Sequence, residues 1–241
     1  NYILEIAGLL DTVGGVVTAP TTSFRTKDDI TPVYDLTAIT FSLPDTEGLV
    51  SVSAPAGTLP PGTTVLIING GNGVVVGLTA GNDGELDGSL PASIDDSLLV
   101  TVTDPFGNTT TFTRSEFVGA DGSTGIGPGG GIVKAHCLAS TPERDATECS
   151  KSAIEIPEGA LDKGVTLKAT VYTPEDYDAA HPNQRPDFGT LAQVIRLEAS
   201  GPAEFNKEAD VTFAVPTLPE GTSPRDAFYY VVQRVERGQN P

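Results

Sequence analysis

What constrains this sequence most is the rhythm of its β-rich runs. Short segments of Val, Ile, Thr, Leu and aromatic residues recur about every 8 to 12 residues, with Gly, Pro, Asn and Asp between them. Such runs lie at 2–6, 21–26, 37–43, 49–54, 63–69, 74–80, 98–103, 109–114, 165–173, 191–198, 210–215 and 228–235. Helical periodicity is nearly absent, and a helical turn is expected only around Pro174 to Ala180. This is the pattern of an all-β chain. Within the runs, apolar and polar residues alternate. In Leu99-Val100-Thr101-Val102-Thr103 the valines share one face and the threonines the other, as a strand with one buried side requires. The link to the next run, Asp104-Pro105-Phe106-Gly107-Asn108, predicts a hairpin, because Pro presets one turn dihedral and Gly or Asn accepts a positive φ. Antiparallel hairpins with one wet face pack as sandwiches.

Charge narrows the range of partners. Fourteen basic residues stand against 32 acidic ones, a formal net charge of −18, so no basic surface is expected to neutralise nucleic-acid phosphates or anionic lipid. No apolar run is long enough for a membrane-spanning helix, so no membrane insertion is expected. Hydrophobic content of 38% suffices for packed cores. The chain contains no Met, which predicts processing or a longer parent.

Two composition shifts divide the chain into 1–32, 33–119 and 120–241. The first is the polar stretch Lys27 to Pro32, and the second the glycine-rich connector Gly119 to Gly131. Residues 1–32 hold two strands, too few to bury a core alone. Their wording, Tyr2-Ile3-Leu4-Glu5-Ile6-Ala7-Gly8-Leu9-Leu10-Asp11-Thr12-Val13-Gly14-Gly15 followed by Thr22-Ser23-Phe24-Arg25-Thr26, resembles the last two strands of bacterial Ig-like domains of S-layer and other surface proteins. Gly15 departs from the Asn usual there. The resemblance implies that the earlier strands of that domain lie upstream; an N-terminal arm folded onto 33–119 is the alternative. Residues 33–119 carry Ala54-Pro55-Ala56-Gly57-Thr58, Thr64-Val65-Leu66-Ile67-Ile68-Asn69, Thr79-Ala80-Gly81-Asn82-Asp83-Gly84-Glu85-Leu86 and Leu99 through Asn108 in order. They look like one complete bacterial Ig-like repeat of the adhesin type.

Residues 120–241 contain Ile156-Pro157-Glu158-Gly159-Ala160-Leu161, and later Gly201-Pro202-Ala203-Glu204-Phe205-Asn206-Lys207 leading to Val211-Thr212-Phe213. These are similar to the ZU-type domain shared by ankyrins, tight-junction scaffolds and netrin receptors, which the resemblance implies is a β-sandwich used for assembly. On this reading Ala160 and Leu161 tuck under the sandwich, and Phe205 plugs the core ahead of an edge strand of Val211, Phe213 and Val215. The insertion 174–188 and the cysteine loop depart from that family. The expected fold is therefore all-β: tandem Ig-like β-sandwiches.

Cys137 and Cys149 are the only cysteines, separated by a polar loop. A disulfide closing it would stabilise by about 3 kcal/mol in the chain-entropy model and would imply an oxidising compartment. Two reactive or metal-binding thiols are the competing reading, although His136 and His181 are the only imidazoles at hand. Asn82, Asp83, Glu85 and Asp87 offer hard oxygens for Ca²⁺ but lack the EF-hand spacing; solvated charge on a hairpin turn is the alternative. Asp176, Asp178, His181 and Asp187 could hold a metal or simply line a wet loop. No nucleophile-elbow, zinc-protease or phosphate-loop sequence occurs, and acidic pairs such as Asp95/Asp96 are taken as solvating charge.

The expected protein is not an enzyme and has no cofactor unless Ca²⁺ stiffens its acidic loops. It is an extracellular or cell-surface structural or assembly component, a stalk, fibre or filament subunit. Its partners would be other copies or neighbouring domains of the same assembly. The alternatives are an adhesin binding carbohydrate or host protein through loops of 120–241, and an accessory region of a secreted hydrolase.

Overall fold

A computed structural model describes residues 2–4, 22–24, 35–138, 149, 151–172, 174–180 and 194–213. The expected strand 228–235, together with His181, Asp187 and Val215, lies outside them.

The chain is all-β. Near the start, β1 (Tyr2–Leu4) pairs antiparallel with β2 (Thr22–Phe24) in a two-stranded sheet. The run at 37–43 opens differently from expectation. Asp35 caps a 3-10 turn, Leu36–Ala38, by accepting from the Thr37 amide at 3.1 Å, and the strand shrinks to β3 (Thr40–Phe41). The first sandwich sets β3, β4 (Leu49–Ala54) and β7 (Leu86–Pro91) in one sheet. β5 (Thr64–Asn69), β6 (Val75–Thr79), β8 (Leu98–Thr103) and β9 (Thr109–Arg114) form the other, in the order β6-β5-β8-β9. Alternation decides the facing sides. Val50 and Val52, Val65 and Ile67, Val100 and Val102 are buried, and the residues between them turn outward or lie part-buried.

The β8–β9 hairpin forms where the turn chemistry places it. Gly107 takes φ +88°, and Asp104 closes the loop by accepting from the amides of Phe106 and Asn108 and from the Asn108 side chain, at 2.8 to 2.9 Å. Burial alone would raise the Asp104 carboxyl, but these donors, Asn108 foremost, outweigh it and hold the group below its ordinary value.

The second sandwich contains β10 (Glu116–Val118), β11 (Thr124–Ile126), β12 (Gly131–Cys137), β13 (Ala153–Ile156), β14 (Val165–Tyr172), β15 (Val194–Ala199) and β16 (Asp210–Thr212). β12 belongs to both of its sheets. Gly131–Lys134 pair with β13, and Ala135–Cys137 run parallel to β14. The core holds Val133, Ala135, Ile154, Ile156, Leu167 and Val171. A short helix α1 (Pro174–Ala180) follows β14.

The two motifs read from 156–161 and 201–207 meet in space. Asn206 donates from its amide to the Ala160 carbonyl at 2.8 Å and from its side chain to Asp162 at 2.9 Å. Ala160 and Leu161 are buried. Phe205 is not the expected core plug, being 41% exposed. The backbone anchors on the residue after it, and the apolar side chains that reach the core from this region are Ala203 and Ala209. Val211 lies opposite the buried Ile154 yet is 46% exposed, and β16 is the edge of its sheet among the described residues.

Candidate functional site

The most built-up polar region is the junction between the two sandwiches, and it is made from the glycine-rich stretch. Residues 119–131 are ordered structure rather than slack connector. β10 and β11 form a hairpin in which Phe117 lies opposite Gly125 on one face, and Glu116 opposite Ile126 on the other. Phe117 is fully buried in the first core, and Ile126 is fully buried in the second. One two-stranded ribbon thus serves both cores as a common wall. β11 continues into the second sandwich by pairing with β14, while Val118 makes a parallel bridge to Ser42 beside β3.

The turn closing this hairpin is tight. Gly119 N–H donates to Ser123 O at 2.7 Å, and Gly122 takes φ +79° with its Cα against the His136 ring, where a β-carbon would lie 2.7 Å from Cδ2. Asp121 accepts from the Ser123 hydroxyl at 2.5 Å and amide at 3.1 Å, and pairs with Lys168 of β14 at 3.4 Å. The Ser123 bonds, aided by Lys168, lower the Asp121 carboxyl to about 2.

Beside the wall lies an open cleft of about 790 Å³, lined by residues of both sandwiches that include Asp95, Ser115, Glu116, Glu155 and Glu158. Two of these carboxylates are engaged with backbone. Glu116 Oε1 accepts from the Ile132 amide at 3.1 Å, and Asp95 Oδ1 accepts from the Gly164 amide. Among the described residues no three His, Cys, Asp or Glu side chains converge in a way that could hold a metal ion.

A disulfide joins Cys137, at the end of β12, to Cys149, with Cα atoms 5.4 Å apart and both residues buried in the second core. His136 is half-buried in β12, and the adjoining sulfur is in the disulfide, so the pair offers no thiolate. At the possible calcium loop, Glu85 turns back on its own turn: its Oε2 accepts from the Asp83 amide at 3.1 Å and its carbonyl from Gly81 at 2.9 Å. The Asp83 carbonyl accepts from Gly57 at 2.7 Å, Asn82 is exposed, and Asp87 stands on β7 opposite Ser53. Glu85 Oε2 and the Asp83 and Glu85 carbonyls thus serve the turn, and Asp83, Glu85 and Asp87 do not form a group that could hold a metal ion. Asp176 and Asp178 lie on α1.

Sequence reasoning took Asp95 and Asp96 as solvating charge and Gly125 and Gly127 as connector, and it passed over Gly164. A signal for them existed, in that glycines in a stretch with turn residues on both sides permit close backbone approach, but their partners are distant in sequence.

No family model matches the chain, and no curated protein matches it. Among solved structures, a cycloalternan-degrading enzyme from Trueperella pyogenes, in complex with cycloalternan, aligns with 71% of this chain at 9% identity and a TM-score of 0.23. The aligned part is 33% of that enzyme's chain, and a likeness at this TM-score carries no argument.

Proposed function

We propose that this chain is an extracellular structural or assembly component of a bacterial cell surface, a stalk, fibre or filament subunit whose role is to hold shape. The observation that carries this reading is the common wall: β10 and β11 place Phe117 in one core and Ile126 in the other, so no free linker separates the sandwiches. A joint of that kind transmits load and orientation between units, which a scaffold needs. The Cys137–Cys149 disulfide supports an oxidising, extracellular setting, and the charge of −18 supports solubility outside the cell without nucleic-acid or anionic-lipid partners. The likenesses to Ig-like and ZU-type surface domains point the same way. Partners would be further copies or neighbouring domains, meeting at exposed sheet edges such as β16.

Electron micrographs of the protein in its native surface preparation test this. Ordered filaments or arrays are expected. Dispersed particles that bind a glycan array through residues 120–241 would replace the reading with an adhesin.

A further inference from the structure

The turn from Ser93 to Ser97 ties the two sandwiches together beyond the common wall, and its residues divide the work. Asp96 serves the first sandwich: its Oδ2 accepts from the buried Asn69 side chain at 2.8 Å and from the Ser93 amide at 2.9 Å. Asn69 also donates to the Pro91 carbonyl at 3.0 Å and accepts from the Gly71 amide at 2.8 Å, so the turn is fixed from inside its own unit. Asp95 serves the second sandwich, because its Oδ1 accepts from the Gly164 amide just ahead of β14. Ile94 fills the space between. A β-carbon on Gly125 would lie 2.6 Å from Ile94 Cγ2, one on Gly127 2.8 Å from Asp95 Cα, and one on Gly164 2.8 Å from Ile94 Cδ1. Carbon atoms rest about 3.5 to 4.0 Å apart, so the seat exists only because all three positions lack a side chain.

We propose that Ile94 and Asp95 form a latch that fixes the angle between the two sandwiches, with Gly125, Gly127 and Gly164 as its socket. β10 and β11 belong to the sheet of the second sandwich and meet the first through Phe117 and the single bridge from Val118 to Ser42, so the common wall alone leaves a rotation open. The latch closes that rotation by pinning the turn before β14, with an apolar knob for position and a charge-assisted hydrogen bond for direction. Ile94 is only partly buried at the margin of the first core, and Asp95 is exposed. Releasing them frees the joint without unfolding either unit.

Residual dipolar couplings on the full chain test the latch. In the parent protein, amides of β4, β5 and β8 and those of β13 and β14 fit one alignment tensor. In Ile94→Ala/Asp95→Ala the two sets require different tensors, while shifts away from the turn stay in place. A single tensor in the variant, or two in the parent, overturns the proposal. A size swap guards against simple misfolding. Gly164→Ala alone loosens the joint, and adding Ile94→Ala restores the single tensor, because the β-carbon at 164 meets the Ile94 side chain. Gly127→Ala is not rescued this way, because its β-carbon meets the Ile94 carbonyl. Failure of the swap to restore the tensor counts against the latch. In Asp95→Ala the Gly164 amide exchanges about tenfold faster, as loss of a hydrogen bond to a charged group requires; an unchanged rate contradicts the assignment.

Discussion

Thr63 shows how a single atom departs from the general satisfaction of buried polar groups. The residue is fully buried, and its Oγ1 has no hydrogen-bond partner, the one such side-chain atom among the described residues. Thr63→Val removes the orphan at almost constant shape, so stability should hold or rise by about 1 kcal/mol in urea denaturation. Asp121 is the opposite case, a surface carboxylate with good partners. Its value near 2 lies below the ordinary 3.8, mainly because Ser123 donates to it. The stability it contributes is therefore complete above 3.8 and is lost as pH falls through about 2. Asp121→Asn should flatten the stability curve between about pH 4 and pH 2, measured as denaturation midpoints at each pH. The Lys168 pair adds little, since both side chains are substantially exposed.

Among elements, the disulfide is the clearest staple. It spans 12 positions and fastens the end of β12, which both sheets of the second sandwich share. Cys137→Ala/Cys149→Ala should lower the stability of that sandwich by about 3 kcal/mol, read by calorimetry. The strands themselves were legible in unequal measure. β4, β5 and β8 announce themselves by alternation, and the β8–β9 hairpin by its turn chemistry. β7 escapes notice, because Leu86-Asp87-Gly88-Ser89-Leu90-Pro91 has little intrinsic β preference; it forms because β4 pairs with it along its whole length, and its edge position tolerates Pro91. β11 hides in the glycine-rich stretch, and β10 just ahead of it, for a deeper reason. Gly125 has no side chain to show a period, and its role, letting Ile94 and Leu43 approach, depends on residues far off in sequence. The Asp95/Asp96 pair likewise looks like solvating charge until the fold brings Asn69 and Gly164 to it. Phe205 shows the reverse error, since an apolar residue next to a strand need not face the core when the backbone of its neighbour sets the anchor.

At the scale of the molecule, the two cores share one wall, which predicts one cooperative body. Phe117→Ala removes the largest side chain that this wall sends into the first core and should cost about 3 to 5 kcal/mol. Where the loss is felt decides the matter. Native-state hydrogen exchange reads the opening free energy of each amide separately. If the sandwiches form one cooperative unit, Phe117→Ala lowers the protection of Val65 and Val100 in the first core and of Val133 and Leu167 in the second by the same amount. A loss confined to the first core, with the second unchanged, would mean two independent modules and would contradict the account.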